Sequence, residues 1–167
     1  TRGGISDEIL AWSVNYLRNH RTRYINDLKT VSKYHASGEI LELGSAPFHF
    51  TLMLKELGME VTGVDIDPDR FAEFIQKNNL SIVKCDVEID ELPFEDESFH
   101  MVLFNEVFEH MRINPIQTLK KISSIYHPDG YLMLSTHNQY SITTIINFLL
   151  GKGLDDPYEQ FDKIEKY

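Results

Sequence analysis

From Glu39 onward the chain alternates short apolar runs with stretches of helical spacing, and this alternation restricts the fold more than any other feature. The runs EILEL (39–43), EVTGVDI (60–66), LSIVKCD (80–86), SFHMVLFN (98–105) and GYLMLST (130–136) read as five strands. Between them, FHFTLMLKELG (48–58) reads as a helix closed by Gly58, PDRFAEFIQKN (68–78) as one opened by Pro68, and 115–126 as a third. The turn HPDG precedes the fifth strand. Strands separated by helices pair in parallel through right-handed crossovers. The prediction is an α/β fold, an open, doubly wound, mostly parallel sheet with helices on both faces.

Ahead of this region, residues 7–34 carry Ile9, Leu10, Trp12, Val14, Leu17, Tyr24, Ile25, Leu28 and Val31 at helical spacing, with Ser6 or Asp7 as N-cap. One broken helix or two in series is expected, ending at HASG (35–38). After the fifth strand comes an apolar helix, SITTIINFLL (141–150), and then a polar tail. At 167 residues the chain is read as a single domain, 1–167, with a helical segment at 1–37, a core at 38–138 and a C-terminal helix and tail at 139–167. It starts at Thr1, so a trimmed piece of something longer is expected.

Charge and cysteine content narrow the partners. The formal net charge is −10, and no Lys/Arg-rich block stands out beyond RNHRTR (18–23), whereas a nucleic-acid binder presents a basic stripe to neutralise phosphates, so no nucleic-acid partner is expected. Cys85 is the only cysteine, which rules out an internal disulfide and a metal-binding cysteine pair. The longest late apolar run, IINFLL, is far short of the roughly 20 residues that span a bilayer, and nothing resembles a secretory signal. A soluble, cytoplasmic protein without a membrane partner is the expectation.

In open parallel sheets, ligands bind beyond the carboxyl ends of the strands, where strand order reverses. Every predicted strand end here carries polar or small residues: Gly44-Ser45-Ala46, Asp65, Asp86, Asn105-Glu106 and Thr136-His137-Asn138. Taken singly, a glycine there is usually a turn and an aspartate a helix cap. Asp65 nevertheless lies about 20 residues beyond Gly44, the spacing at which a carboxylate meets ribose hydroxyls. Asp67, directly before Pro68, is the better candidate for the cap, which frees Asp65.

EILELGSAPFHF, VTGVDIDPDRF, KCDVEIDELPFEDESFHMVLFNEVFEHM and HPDGYLMLSTHN together resemble the successive motifs of class I S-adenosylmethionine-dependent methyltransferases of the small-molecule group. The resemblance covers about residues 38–138. It implies a Rossmann-like sheet, S-adenosylmethionine as cofactor and a small-molecule or glycan-type acceptor. It places Glu42 and Gly44, Ser45 and Ala46 around the methionine portion, Asp65 on the ribose and Ile66 on the adenine. Asp86 would accept from the adenine amino group beside Val87, and Asn105 with Glu106 would border the sulfonium. Family members commonly use an N-terminal helical segment as a lid, which would bring Tyr16 or Tyr24 to the acceptor.

The chain also departs from the family. Ala46 and Phe48 stand where further glycines are usual, and Pro47 removes a donor. A phosphate-bearing dinucleotide would be crowded there, so an NAD-dependent oxidoreductase ranks below a methyltransferase. No strand pair is recognised after Leu150, so the family's C-terminal hairpin is expected to be missing. That absence and the sparse glycines support an alternative, a non-catalytic methyltransferase-like domain serving as a binding or assembly module.

For a hydroxyl acceptor, His110 and His137 are the catalytic candidates, because imidazole titrates near neutrality. Glu106, Glu109 and His110 also resemble a divalent-metal motif, with His137 as fourth ligand. The preferred reading is that Glu109 and His110 only shape the loop after the fourth strand, and no metal is expected. His49 is the remaining histidine near the cofactor turn.

Overall fold

The computed structural model describes residues 7–136 and 149–150. Two helices in series open the chain, α1 (Asp7–Asn19) and α2 (Arg21–Tyr34), separated at His20. In α1 only Ser13 is buried, and Leu10, Trp12 and Val14 stay largely exposed. By contrast α2 buries Tyr24, Asp27 and Val31, three positions on one helical face, against the sheet.

The sheet consists of β1 (Ile40–Leu43), β2 (Val61–Asp65), β3 (Ser81–Lys84), β4 (Phe99–Asn105) and β5 (Tyr126–Ser135), in the order β3-β2-β1-β4-β5. All four pairings are parallel. The predicted doubly wound α/β architecture with an N-terminal helical extension is therefore the one observed. α3 (His49–Glu56) follows β1, α4 (Ala72–Lys77) precedes β3, and α5 (Pro115–Ile125) connects β4 to β5.

Central strands of such a sheet are covered on both sides and read as continuous apolar runs, as ILEL and MVLF do. Register Ile40↔Met101 and Leu41↔Val102 divides them by parity. Leu41, Leu43, Val102 and Phe104 pack with Ile122 and Ile125 of α5. Ile40, Met101 and Leu103 pack with Phe50 and Leu54 of α3 and with Tyr24 and Val31 of α2. One aliphatic layer thus lies on each face.

Two local readings need correction. The HPDG segment is not a turn before the strand: β5 already begins at Tyr126, and the extra residues form an irregularity between the pairs Phe99↔Tyr126 and Met101↔Tyr131. Gly130 fits there because a Cβ would come within 2.8 Å of the His127 carbonyl oxygen. The helix at Pro68 starts as a single 3₁₀ turn, Pro68–Phe71, before α4. At the start of α5, which ends at Ile125, Asn114 is the cap, its Oδ1 accepting from Gln117 N at 3.0 Å. The predicted helix at 141–150 lies outside the described residues, except Leu149 and Leu150, which are exposed.

Candidate functional site

Strand order reverses between β1 and β4: the chain runs β1, β2, β3 to one side, then crosses back to β4 on the other flank of β1. The loops leaving β1 and β4 therefore diverge and leave a crevice. Gly44 begins the first loop at φ +68°, and a Cβ there would fall 2.3 Å from Val107 Cγ2. Its glycine is demanded by Val107 and by the left-handed backbone, in addition to any ligand. Ser45 is stitched to β2 by its N–H (2.9 Å) and its hydroxyl (3.1 Å), both donating to the Val64 carbonyl. Ala46 N donates to Asp65 Oδ2 at 3.1 Å. The Ala46–Pro47 bond is cis.

Phe48 was the residue expected to crowd this loop. It adopts φ +66° and turns into the protein instead, fully buried edge-on against Phe71, with Leu80 beside them. It is not part of the cavity lining, whereas Phe50 is.

Asp65, at the end of β2, is buried and accepts from Ala46 N and, at 3.0 Å, from Asp67 N. Arg70 Nη2 approaches Asp65 Oδ1 at 3.9 Å. The cap expected of Asp67 is present in position but not in hydrogen bonding, and Asp65 is engaged by the backbone rather than free. Asp67 sits at the cap position of the 3₁₀ turn but makes no side-chain cap bond, and pairs with Arg70 at 3.2 Å. Asp65 supplies the local backbone bonds and still has acceptor capacity, because a carboxylate offers about four lone-pair sites. Ile66 beside it is 59% exposed, available as an apolar surface.

Asp86 lies beyond β3, but its Oδ1 accepts from Glu88 N (2.9 Å) and Ile89 N (3.3 Å) within its own turn, and Val87 packs on the core beneath α5. Neither lines the cavity described next.

That cavity is bounded from the sheet by Glu42, Gly44, Ser45, Ala46 and Asn105, and from the helices by Tyr16, Arg23, Tyr24 and Asp27. Its free volume is about 20 Å³, room for one water. Glu42 is buried, and its Oε2 accepts from Thr51 Oγ1 at 2.5 Å. Burial pushes the Glu42 carboxyl up to about 8, against the opposing effects of the Thr51 hydroxyl and Arg23. Asp27 is raised to about 6, mainly by burial, with Arg23 opposing. Asn105 Oδ1 is buried without a hydrogen-bond partner among the described residues. Glu106, at φ +57°, accepts from Ser135 Oγ at 2.9 Å and faces Arg23 Nη1 at 3.8 Å.

Neither Arg23 nor Asp27 was given a site role from the sequence, although Arg23 closes the basic block RNHRTR. For Asp27 the signal was an acidic residue inside the otherwise apolar stripe of Tyr24 and Val31, which makes sense only if that stripe covers something polar. Tyr16 and Tyr24, read as core or pocket, serve as both: Tyr24 is buried in the α3-side core and lines the cavity.

Of the catalytic candidates, His110 ends a 3₁₀ turn (Phe108–His110) outside the cavity lining, and His137 lies outside the described residues. Among the described residues no three His, Cys, Asp or Glu side chains converge as metal ligands, so Glu106, Glu109 and His110 do not form a shared site. His49 holds α1 instead: its Nε2 lies 2.9 Å from Ser13 Oγ and 3.1 Å from the Ser13 carbonyl oxygen.

Comparison with known proteins agrees with this geometry. A family profile described as a methyltransferase domain matches residues 41–134. An uncharacterized methyltransferase of Staphylococcus carnosus is 28% identical over 137 residues, 80% of this chain and 59% of that protein. The chain is thus similar to somewhat over half of that relative's length. The crystal structure of a SAM dependent methyltransferase from Archaeoglobus fulgidus superposes with a TM-score of 0.65 at 20% identity, covering 91% of this chain and 72% of that one. A Pyrococcus horikoshii protein of known crystal structure gives a TM-score of 0.61 at 26% identity, covering 69% and 57%.

Proposed function

The chain belongs to the methyltransferase domain family, and we propose that it moves a methyl group from S-adenosylmethionine to a small-molecule or glycan-type acceptor. The observation that carries this reading is the cavity at the strand-order reversal, bounded by Glu42, Gly44, Ser45, Ala46 and Asn105, with Asp65 bonded to the same loop. The groups present fit such a cofactor. Asn105 Oδ1, an acceptor unmet among the described residues, suits an ammonium, Asp65 retains sites for a vicinal diol, and Ile66 offers an apolar surface for a purine. With Pro47 lacking an N–H and Phe48 turned inward, the loop offers no nest of successive donors for a pyrophosphate, which argues against a dinucleotide.

When bound, the cofactor supplies an electrophilic methyl on a positively charged sulfur. The protein's part is to hold the acceptor in line and exclude water. Asp27, buried with its carboxyl raised to about 6, faces the cavity from α2 and suits proton acceptance from a hydroxyl acceptor better than His110. His137, just past the fifth strand, is the second candidate base.

A second reading, a non-catalytic binding or assembly module, is favoured by the small free volume of the cavity. Calorimetry separates the two. Micromolar binding of S-adenosylmethionine and S-adenosylhomocysteine, lost in Asp65→Ala, supports the transferase. No binding heat from the folded full-length protein supports the module. NADH serves as the control ligand.

A further inference from the structure

We propose that Glu88, which lies outside the cavity lining, is a positioning residue of the S-adenosyl site: its carboxylate ties the loop after β3 to the loop after β4 and so sets the spacing between the groups that meet the two ends of the ligand. The inference rests on the cofactor reading. Glu88 Oε2 accepts from Arg112 N at 3.1 Å, and Oε1 accepts from Ile113 N at 2.5 Å and Asn114 N at 3.0 Å. Three successive N–H groups converging on one point form a cradle for an anion, and here a side chain from another loop fills it. Burial acts to raise the Glu88 pKa, but the three backbone donors outweigh it and hold the carboxyl below its ordinary 4.5. The clamp is therefore ionised and closed at neutral pH.

Its base is anchored as well. Glu88 N donates to Asp86 Oδ1 at 2.9 Å, and Lys121 Nζ of α5 donates to the carbonyl oxygens of Glu88 (3.3 Å) and Asp90 (2.6 Å). A shift of residues 112–114 is thus passed to Asp86, which the cofactor reading sets against the adenine. The loop that Glu88 grips carries the groups assigned to the other end. It leaves β4 through Asn105 and Glu106, and Glu106 has a left-handed backbone at φ +57°. A residue other than glycine keeps such a conformation only where its surroundings hold the chain in place. On the strand side, Glu106 N donates to the Ser135 carbonyl oxygen at 3.0 Å. In the middle, Val107, Phe108 and Met111 pack on the core through apolar contacts, which fix depth but have no direction. At the far end, Glu88 supplies directional bonds from outside the loop.

The test compares adenosine, which has only the end that meets Asp65 and Asp86, with S-adenosylhomocysteine, which also extends to Asn105 and Glu106. Calorimetry on the full chain measures S-adenosylhomocysteine directly and adenosine by displacement. Glu88→Ala is expected to weaken S-adenosylhomocysteine about threefold to thirtyfold and adenosine less than about twofold, as for a coupling carried between two loops. Glu88→Gln keeps one acceptor oxygen, should fall between, and serves if the Ala variant does not fold. Amide exchange at residues 106–111 with S-adenosylhomocysteine bound gives a second readout: it should quicken in either variant while β1 and β4 keep their protection. Equal weakening of the two ligands, unchanged affinity for S-adenosylhomocysteine, or unchanged exchange overturns the proposal. Failure of the unaltered protein to bind S-adenosylhomocysteine removes the cofactor reading itself, a different result.

Discussion

The backbone N–H of Ala46 donates to the Asp65 carboxylate at 3.1 Å, so the residue expected to meet the ribose also holds the loop that follows β1. Its other oxygen accepts from Asp67 N at 3.0 Å. Asp65→Asn turns one of these oxygens into an NH₂ facing an N–H. The variant should lose about 1–3 kcal/mol of stability in urea unfolding, because a backbone donor loses its charged acceptor. Ligand affinity should fall with it. Full stability in Asp65→Asn would mean that the two backbone bonds contribute nothing measurable.

Glu42 makes stability depend on pH. Its folded-state pKa of about 8 lies above the ordinary carboxyl value of 4.5, so between those values the folded chain binds more protons than the unfolded one. Stability should therefore be flat below the lower value, fall as pH rises toward 8 and level off above it, with a slope of up to about 1.4 kcal/mol per pH unit. Asp27, raised to about 6, adds a same-signed contribution at the lower end of that window. Glu42→Gln keeps the shape and removes the charge. Unfolding measured across this range should show the slope reduced to the Asp27 part, and an undiminished slope would place its origin elsewhere.

Gly44 is sensitive for two separable reasons. Alanine there must adopt φ +68°, costing about 1–2 kcal/mol, and its Cβ must displace Val107 Cγ2, which would lie at 2.3 Å. A double-mutant cycle distinguishes them. Gly44→Ala should cost about 2–4 kcal/mol, and combining it with Val107→Ala should relieve the steric part while leaving the backbone part. Strict additivity of the two substitutions would show that no clash exists.

Trp12 is the only tryptophan and sits on α1, 5.4 Å from the Tyr16 ring and 6.2 Å from Phe71. Its emission thus reports the seating of α1 over the cavity. If the cavity, with about 20 Å³ free, widens before a ligand enters, S-adenosylhomocysteine should change that emission at a rate that saturates with concentration. Ser13→Ala removes the hydroxyl beside His49 Nε2 and should raise the limiting rate about threefold or more. Burial also lowers the His49 pKa below 6.5, so the helix's seating should persist above that value and weaken as pH falls through the lowered one. A rate that stays linear in ligand and indifferent to Ser13 would sink this picture.

Phe48 gives a negative control. Phe48→Leu removes ring volume from the cluster with Phe71 and Leu80, so stability should drop by about 1–2 kcal/mol. Affinity for S-adenosylhomocysteine should stay within about twofold, since the ring does not line the cavity. A large affinity change would return Phe48 to the rim.

What the sequence determined by itself was periodic and local. The two-residue alternation and continuous apolar runs of the strands, and the three-to-four-residue spacing between them, were sufficient for the five strands, the helices between them and their parallel pairing, whereas the strand order, with its reversal between β1 and β4, came from the tertiary structure. Burial imposes those periods wherever the chain lies. Gly44, Asp65 and Asn105 were legible for the same reason, because their place after a strand is a matter of position along the chain. Only the tertiary structure decided where side chains from distant segments point. It turned Phe48 inward, gave Asp65 two backbone hydrogen bonds from Ala46 and Asp67, and brought Arg23 and Asp27 from α2 onto the β1 and β4 loops. Those outcomes depend on how a helix face meets a sheet edge across a gap in sequence, and no local pattern encodes that meeting, because a helical stripe states which residues are covered but not by what.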